Sequence, residues 1–261
     1  MPSSPPPVVD SKSAAALLRR SAARASVAAA LVLGLAAAAL VAWLDAGAAL
    51  ALQALAVFAL GVGCMFKALA RHLPHGRFGA ANGLTLGRLA MIALLAGLVG
   101  RPLPSDLEPL AWAVVVFATT AAVLDAVDGP LARAQKLASD FGARFDMESD
   151  ALLVMVLSLL AWHFGKAGAW VLLAGLARYL FVAAAWAWPW MARPLPPSLR
   201  RKTVCVVQIT CLIVCLGPII TRPWSQAVAA ASLGLLLLSF AADVRWLSRQ
   251  RQRPSLLGDP A

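Results

Sequence analysis

Six of the twelve acidic residues of this chain lie between Asp125 and Asp150, inside a sequence that is otherwise strongly apolar. A carboxylate in hydrocarbon is costly unless a metal, a partner or water compensates it. Asp125 and Asp128 are three residues apart, and Asp146 and Asp150 are four apart, so each pair shares one helix face. If the two helices are antiparallel neighbours, the pairs meet, and their repulsion requires a cation between them. Hard oxygen ligands select Mg²⁺, Mn²⁺ or Ca²⁺, and two such ions suit phosphoryl transfer.

Small residues and one arginine accompany these acids. Gly129 directly follows the second carboxylate, and Ala132 and Gly142 are also small. Small side chains let a nucleotide approach the backbone closely, and Arg133 can bind a phosphate through two hydrogen bonds. Two helices with salt-bridged polar ends would explain one or two of these acids, but not the whole set. We therefore predict that this segment binds a nucleotide as well as metal.

The elements that carry these residues are predicted to be membrane-spanning helices. The chain has 261 residues, is 61% hydrophobic and 13% charged, and has a mean hydropathy of +0.78. Apolar runs of about 20 residues recur from end to end, and each can cross a bilayer as a helix. We expect eight spans, at about 25–44, 47–68, 84–101, 109–128, 148–164, 167–190, 203–221 and 224–244. The predicted fold is an all-α, polytopic transmembrane helical bundle.

The distribution of basic residues predicts the orientation of the spans. Lys and Arg alternate between rich and poor loops, which argues against a nucleic-acid partner despite the net charge of +11. If the N-terminus is cytoplasmic, 19 of the 23 basic residues fall on the cytoplasmic side, and only Arg101, Lys166 and Arg222 fall on the outer side. Both termini and the acidic segment are therefore predicted to face the cytoplasm, at the cytoplasmic (inner) membrane. The four cysteines lie in apolar runs and do not indicate a disulfide framework.

The acidic segment resembles one protein family at every specified position. The pattern Asp-x-x-Asp-Gly-x-x-Ala-Arg-x(8)-Gly-x-x-x-Asp-x-x-x-Asp is filled by Asp125, Asp128, Gly129, Ala132, Arg133, Gly142, Asp146 and Asp150. This pattern is similar to that of the CDP-alcohol phosphotransferase (phosphatidyltransferase) family. Upstream, the family's Asn-x-x-Thr-x-x-Arg is matched by Asn82, Thr85 and Arg88. The resemblance covers about residues 80–245, which is six of the predicted spans.

The resemblance implies a six-helix core with an active site that opens to the cytoplasm at the inner leaflet. Mg²⁺ or Mn²⁺, as two ions, would be held by Asp125, Asp128, Asp146 and Asp150. Asp150 would also act as the general base on the acceptor hydroxyl. The CDP moiety would be contacted by Gly129, Ala132, Arg133, Gly142, Thr85 and Arg88. The implied partners are CDP-diacylglycerol, a small alcohol, the lipid bilayer and a second copy of the chain in a homodimer, and CMP is released.

Four segments are predicted along the chain. Residues 1–24 combine a disordered stretch with a short basic amphipathic helix. Residues 25–70 form an accessory transmembrane hairpin, residues 80–247 form the CDP-alcohol phosphotransferase core, and residues 248–261 form a polar cytoplasmic tail. The first apolar run is too long, and too soon followed by another, to be a cleaved signal peptide.

Four further basic residues are candidates for binding the acceptor. Arg178 lies inside a predicted span, where it either serves the reaction or balances the charge of the aspartates. Arg200, Arg201 and Lys202 begin the seventh span, where the family tends to place basic residues for an acceptor phosphate. Anchoring at the cytoplasmic face explains these three residues as well. The pair His72 and His75 forms a weak metal pattern, which we interpret as two loop histidines.

The residues between Asp146 and Asp150 do not identify the acceptor alcohol. The chain reads Asp-Met-Glu-Ser-Asp-Ala from Asp146. Members that make phosphatidylglycerophosphate usually read Asp-Pro-x-Ala-Asp-Lys, and serine-transferring members tend to read Asp-Ser-x-Ala-Asp. Two alternatives to phosphatidyl transfer remain. In one, a CDP-linked small alcohol donates its phosphoalcohol to a lipid hydroxyl. In the other, the aspartates bind the ion of a cation transporter, which would not need the nucleotide-binding residues.

Overall fold

The computed structural model describes residues 11–73, 76–135, 137, 139–196 and 198–251, and these residues form helices and loops with no strand among them. Eight α-helices follow one another in this part of the chain: α1 Ser11–Leu44, α2 Ala49–Ala68, α3 Ala80–Gly97, α4 Glu108–Ala134, α5 Asp140–His163, α6 Leu172–Ala187, α7 Leu199–Leu216 and α8 Trp224–Arg251. Short 3₁₀ segments lie at Leu69–His72, Ala169–Val171 and Pro189–Ala192. The predicted all-α, polytopic fold is confirmed.

Six of these helices are long and apolar enough to cross a membrane, judged by length and composition. The two that are not are α5 and α7, although the sequence predicts a span at each. In α5 the acidic residues Asp146, Glu148 and Asp150 interrupt the apolar stretch. α7 is only 18 residues long, and three basic residues directly follow its first residue, Leu199. The charged residues that make α5 and α7 candidates for the site therefore also lower the hydropathy of these helices.

The N-terminal helix is longer than the sequence predicts. α1 runs from Ser11 to Leu44 without interruption, so the expected basic helix at 13–24 and the first span are continuous. Alanine is the strongest helix former and fills much of this stretch, so nothing in the sequence ends the helix between the two parts. Residues 1–10, Pro74, His75, Lys136, Ala138, Pro197 and residues 252–261 lie outside the described part of the chain.

The described residues divide into two compact units. The first comprises Met1–Ser105 and Val116–Ser149, and the second comprises Asp106–Val115 and Asp150–Ala261, each as far as described. The boundaries fall within α4 and α5, so each of these helices has part of its length in each unit. The segments predicted as an accessory hairpin and the first helix of the core lie together in the first unit.

In the first unit, α1, α2 and α3 pack against one another. The helices approach closely where a side chain is absent, because a Cβ atom at Gly97 of α3 would lie 2.9 Å from the backbone oxygen of Leu50 of α2. The side-chain amide of Gln53 donates to the carbonyl oxygens of Ala96 at 2.9 Å and Val99 at 3.2 Å. These bonds add side-chain donors to carbonyl groups at the C-terminal end of α3, where the regular helical donors run out. α1 and α2 thus pack against α3, the first helix of the expected core, and α2 also forms hydrogen bonds to it.

In the second unit, α8 packs along α7 and also contacts α6. The rings of Phe181 on α6 and Phe240 on α8 lie 5.6 Å apart. The second half of α5 runs close to α6, because a Cβ atom at Gly175 would lie 2.6 Å from the Cα atom of Met155. Only glycine fits at this crossing without a shift of the backbone.

Two of the three basic residues expected on the outer side bind backbone carbonyl groups. In the first unit, Arg101 donates to the carbonyl oxygens of Gly97 at 3.4 Å and Ala49 at 3.0 Å. In the second unit, the Lys166 ammonium group donates to the carbonyl oxygens of Gly217 at 2.8 Å and Ile220 at 2.9 Å, just beyond α7. Burial lowers the pKa of Lys166. Cations are favourable at helix C-termini, so these two exceptions to the charge asymmetry have local structural reasons.

Candidate active site

Three aspartates of the first unit surround the guanidinium group of Arg88. Its Nη1 atom lies 2.6 Å from Asp125 Oδ1, 2.6 Å from Asp146 Oδ1 and 3.2 Å from Asp128 Oδ2. The side chain of Arg88 is fully buried, whereas those of Asp125 and Asp146 are 27% and 36% exposed. The Thr85 hydroxyl donates to Asp128 Oδ2 at 3.0 Å. The group of Arg88, Asp125, Asp128 and Asp146 is called the carboxylate cluster below.

Helical spacing explains how the chain assembles this cluster. Thr85 and Arg88 are three residues apart on α3, and Asp125 and Asp128 are three apart on α4, so each pair presents its side chains from one helix face. Asp146 comes from the second turn of α5. The cluster therefore joins three helices through side chains whose positions follow directly from the sequence pattern.

The donor chemistry of the cluster fits a divalent metal ion. One carboxylate oxygen from each of the three aspartates lies within 4.8 Å of the other two. Three carboxylates against one guanidinium leave the four side chains with an excess of negative charge. Anionic oxygen ligands in such a group are those that Mg²⁺ and Mn²⁺ prefer. The three aspartates therefore fit their predicted role as ligands.

Arg88 lies among the three aspartates. The family resemblance implies a contact between Arg88 and the CDP moiety, which stays a prediction, and the structure adds bonds from the guanidinium group to the three carboxylates. Arg88 thus supplies part of the positive charge that is needed to offset the repulsion between the three carboxylates. A sequence pattern could not reveal this, because Arg88 is separated from Asp125 by more than thirty residues.

Asp150, the predicted general base, lies one helical turn beyond Asp146 on α5 and belongs to the second unit. The Cys205 thiol of α7 donates to Asp150 Oδ2 over 3.9 Å. Sulfur is a weak donor, so this contact is a weak one. The roles of Asp150 as base and fourth ligand stay predictions.

The two glycines of the motif lie in different surroundings. A Cβ atom at Gly142 would lie 3.1 Å from Asn82 Oδ1, so packing within the protein favours glycine there. At Gly129, the nearest heavy atom to an added Cβ would be Nη1 of the exposed Arg133, at 3.6 Å. The half-buried Ala132 lies two residues before the end of α4. Packing explains glycine at position 142 but not at 129, where the space remains for a ligand.

Two of the acceptor candidates form ion pairs in the second unit. Arg200 pairs with Asp243 of α8 through Nη2 and donates to Ser239 Oγ at 2.9 Å through Nη1. Arg201 Nη1 lies 3.3 Å from the same carboxylate oxygen of Asp243. Arg200, Arg201 and Asp243 are called the arginine cluster below. Lys202 is exposed at the start of α7, and Arg178 is half-buried in α6. Their roles in acceptor binding stay predictions.

Sequence reasoning missed Asp243 and misplaced His72. Asp243 stands within an apolar run, and an acid in such a place calls for a basic partner, so the signal was present. His72 ends the 3₁₀ segment after α2 and is fully buried, so its interpretation as a loop histidine was wrong. Its ring bonds to Ser139 and to the Arg77 carbonyl oxygen. No local pattern marks that burial, because both partners depend on the tertiary fold.

Comparison with known proteins gives one match. No curated protein and no solved structure matched the chain significantly. A family model described as CDP-alcohol phosphatidyltransferase matches residues 78–239, which is more than half of the chain. The matched range contains Thr85, Arg88 and all the residues of the acidic motif, whereas α1 and α2 precede it. The chain therefore belongs to the CDP-alcohol phosphatidyltransferase family.

Proposed function

We propose that this protein transfers a phosphatidyl group from CDP-diacylglycerol to the hydroxyl group of a small alcohol and releases CMP. The carboxylate cluster is the observation that carries the proposal. In a protein of this family, three motif aspartates from two helices, α4 and α5, converge on the buried side chain of Arg88. A cation-binding cluster beside a nucleotide-binding motif is what transfer of a substituted phosphate group requires.

Asp150 is proposed to begin the reaction. Its carboxylate removes the proton from the acceptor hydroxyl, and the alcohol oxygen forms a bond to the lipid-side phosphorus of the donor. The bond from that phosphorus to the bridging oxygen breaks, and CMP leaves with the bonding electron pair. The proton remains on Asp150 until solvent accepts it, so charge and atoms balance.

The other motif residues are proposed to hold the donor. Gly129 and Ala132 let the cytidine diphosphate lie against the end of α4, and the exposed Arg133 forms hydrogen bonds to a phosphate. Arg88 and Thr85 keep the carboxylates in place, which the hydrogen bond from Thr85 to Asp128 supports. Mg²⁺ or Mn²⁺ held by Asp125, Asp128, Asp146 and Asp150 would supply charge neutralisation for the phosphates and the leaving group.

The active site is proposed to open to the cytoplasm. The excess of lysine and arginine on one side of the spans supports this orientation. A cytoplasmic opening would give the enzyme access to a water-soluble alcohol and release CMP into the same compartment. A homodimer is the proposed assembly.

CMP release tests the proposal directly. The purified full-length protein in detergent–lipid micelles would receive MgCl₂ or MnCl₂, CDP-diacylglycerol and each member of a panel of alcohols, including glycerol 3-phosphate, serine and inositol phosphate. We expect CMP to appear with one alcohol, and a chelator to abolish it. If CMP appears only when a CDP-linked alcohol meets diacylglycerol, the direction of transfer is reversed.

Two neighbouring acids supply the matched control. Asp150→Asn should lower turnover about 1,000-fold, because general-base catalysis contributes roughly 10²–10⁴. Glu148→Gln makes a similar change two residues away, in the exposed position 148, and should keep turnover within about threefold. Turnover that survives Asp150→Asn would contradict the mechanism. Metal flux into proteoliposomes without any CMP release would instead indicate a cation transporter.

A further inference from the structure

We propose that His72 is a positioning residue, which couples the 3₁₀ segment after α2 to the start of α5 and thereby sets the position of Asp146. The inference rests on the proposed function only for its kinetic consequences. His72 lies before residue 78, outside the range that the family model matches. It lies at the end of the 3₁₀ segment that extends α2.

A chain of hydrogen bonds connects His72 to the first turn of α5. The Nδ1 atom of His72 lies 2.7 Å from Ser139 Oγ, and Nε2 lies 3.1 Å from the carbonyl oxygen of Arg77. Ser139 Oγ in turn accepts a hydrogen bond from the backbone N–H of Gly142 at 3.2 Å. Ser139 therefore caps the N-terminus of α5, and His72 holds the capping hydroxyl.

The partners determine which ring nitrogen carries the proton. A carbonyl oxygen can only accept, so Nε2 of His72 must donate to Arg77. In the neutral ring, Nδ1 then accepts the hydroxyl proton of Ser139, and the lone pairs of that hydroxyl remain for the N–H of Gly142. In this arrangement each of the three hydrogen bonds has one donor and one acceptor, and the direction of the Ser139 hydroxyl is thereby fixed.

Ring packing reinforces the link. Phe141, in the first turn of α5, is almost completely buried, and its ring centroid lies 5.5 Å from that of His72 and 6.0 Å from that of Phe145. Asp146 directly follows Phe145. Loss of the His72 ring would therefore remove both a hydrogen bond to the cap and a packing partner of the turn that leads to the cluster.

A second hydrogen bond joins α1 to the start of α3. The hydroxyl of Ser21 on α1 accepts from the backbone N–H of Phe78 at 3.0 Å, just before α3 begins. Ser21 on α1 and His72 after α2 thus each bond to a segment that leads into a helix of the carboxylate cluster. The proposal gives the first part of the chain a role in positioning the site, beyond that of a membrane anchor.

Three substitutions of His72 distinguish the contribution of its Nδ1 atom from that of its Nε2 atom. In His72→Asn the amide oxygen can take the place of Nδ1 and accept from Ser139. In His72→Gln the amide nitrogen can take the place of Nε2 and donate to Arg77. His72→Ala loses both contacts. Each would be compared with Ser139→Ala, with the double variant His72→Ala/Ser139→Ala, and with His163→Asn as a matched control at the other end of α5.

Hydrogen exchange gives the readout that does not depend on activity. We expect the amides of Gly142 and Ala143 to exchange about fivefold faster in His72→Gln, His72→Ala and Ser139→Ala, since one capping hydrogen bond contributes about 1 kcal/mol. His72→Asn and His163→Asn should stay near the wild-type rate. Equal exchange in His72→Asn and His72→Gln would overturn the proposal.

The kinetic readout tests the link to Asp146. Turnover should fall about tenfold in the same three variants and stay within about threefold in His72→Asn. The concentration of MnCl₂ that gives half-maximal turnover should rise in parallel. The double variant should be no slower than either single variant, because both changes break one chain. Additive losses, or turnover that merely follows the unfolding temperature, would contradict a positioning role. If the wild type released no CMP, the proposed function would fail while the exchange comparison still tested His72.

Discussion

The carboxylate cluster and the arginine cluster are two ion-pair groups with opposite balances of charge. In the first, three aspartates share one arginine, and that arginine is fully buried. In the second, two arginines share the single carboxylate of Asp243, and they remain 40% and 30% exposed. Each group lies in its own unit. The sequence marks the aspartates of the first group as unusual near a membrane, whereas it offered the arginines of the second group as acceptor candidates and did not reveal their partner Asp243.

The difference indicates what each group can bind. An excess of negative charge around a buried cation attracts a further cation, because carboxylates so close together repel in a low dielectric. An excess of positive charge at an exposed position attracts an anion or is simply solvated, and exposed ion pairs contribute little to stability. The carboxylate cluster is therefore suited to binding a metal ion for catalysis. The arginine cluster is suited to pairing α7 with α8, and its excess positive charge can bind a phosphate.

The largest expected effect tests the metal role of the first group. Asp128→Asn removes a ligand charge and should lower CMP release by about 10³-fold or more, since metal ions contribute several kcal/mol of charge stabilisation. Thermal unfolding with and without MnCl₂ would check that stabilisation by the ion is lost as well. Asp140→Asn, at the exposed start of α5, is the control and should behave as wild type. Normal turnover of Asp128→Asn would remove the basis for the comparison.

Arg88→Ala tests the charge balance of the first group. Three carboxylates would be left without their buried partner, and we expect the free energy of unfolding to fall by about 3–5 kcal/mol. MnCl₂ should raise the unfolding temperature of this variant more than that of the wild type, because the ion then replaces the lost positive charge. An unchanged unfolding temperature without metal would show that Arg88 does not hold the cluster together.

A pair of glycine variants shows whether a ligand lies beside the first group. Gly129→Ala should leave the unfolding temperature unchanged, because an added Cβ meets its nearest atom at 3.6 Å, yet raise the KM for the CDP donor about tenfold. Gly142→Ala should lower the unfolding free energy by about 1 kcal/mol, because the Cβ would lie 3.1 Å from Asn82. If Gly129→Ala binds the donor normally, the nucleotide does not approach α4 there.

The smallest effect is expected in the second group. Asp243→Asn should lower the unfolding free energy by about 1 kcal/mol, because its two arginine partners are 40% and 30% exposed and water reaches part of each guanidinium group. Turnover with saturating acceptor should remain within about threefold, whereas the KM for a phosphorylated acceptor reports any role of Arg200 and Arg201. A large loss of turnover at unchanged stability would place the arginine cluster in the reaction and end its contrast with the carboxylate cluster.

Much of the fold and the carboxylate cluster could be predicted from sequence. Apolar runs of membrane length predicted helices, and spacings of three and four residues predicted which acids share a face. The start of α1 could not be placed in this way, because the charge pattern changes at residue 25 while the helix continues. The aspartate partners of Arg88 and the Ser139 partner of His72 were also beyond prediction, since each lies on another helix or loop more than thirty residues away.

The sequence alone determined the family, the all-α polytopic fold and the carboxylates that can bind metal. These features depend on side-chain type and on periodicity within one helix, which the order of residues contains directly. The tertiary structure alone decided that Arg88 lies among the aspartates, that Asp243 pairs with two arginines and that His72 is buried against Ser139. Those contacts depend on which helix faces pack together, and packing is determined by the shapes of many side chains at once.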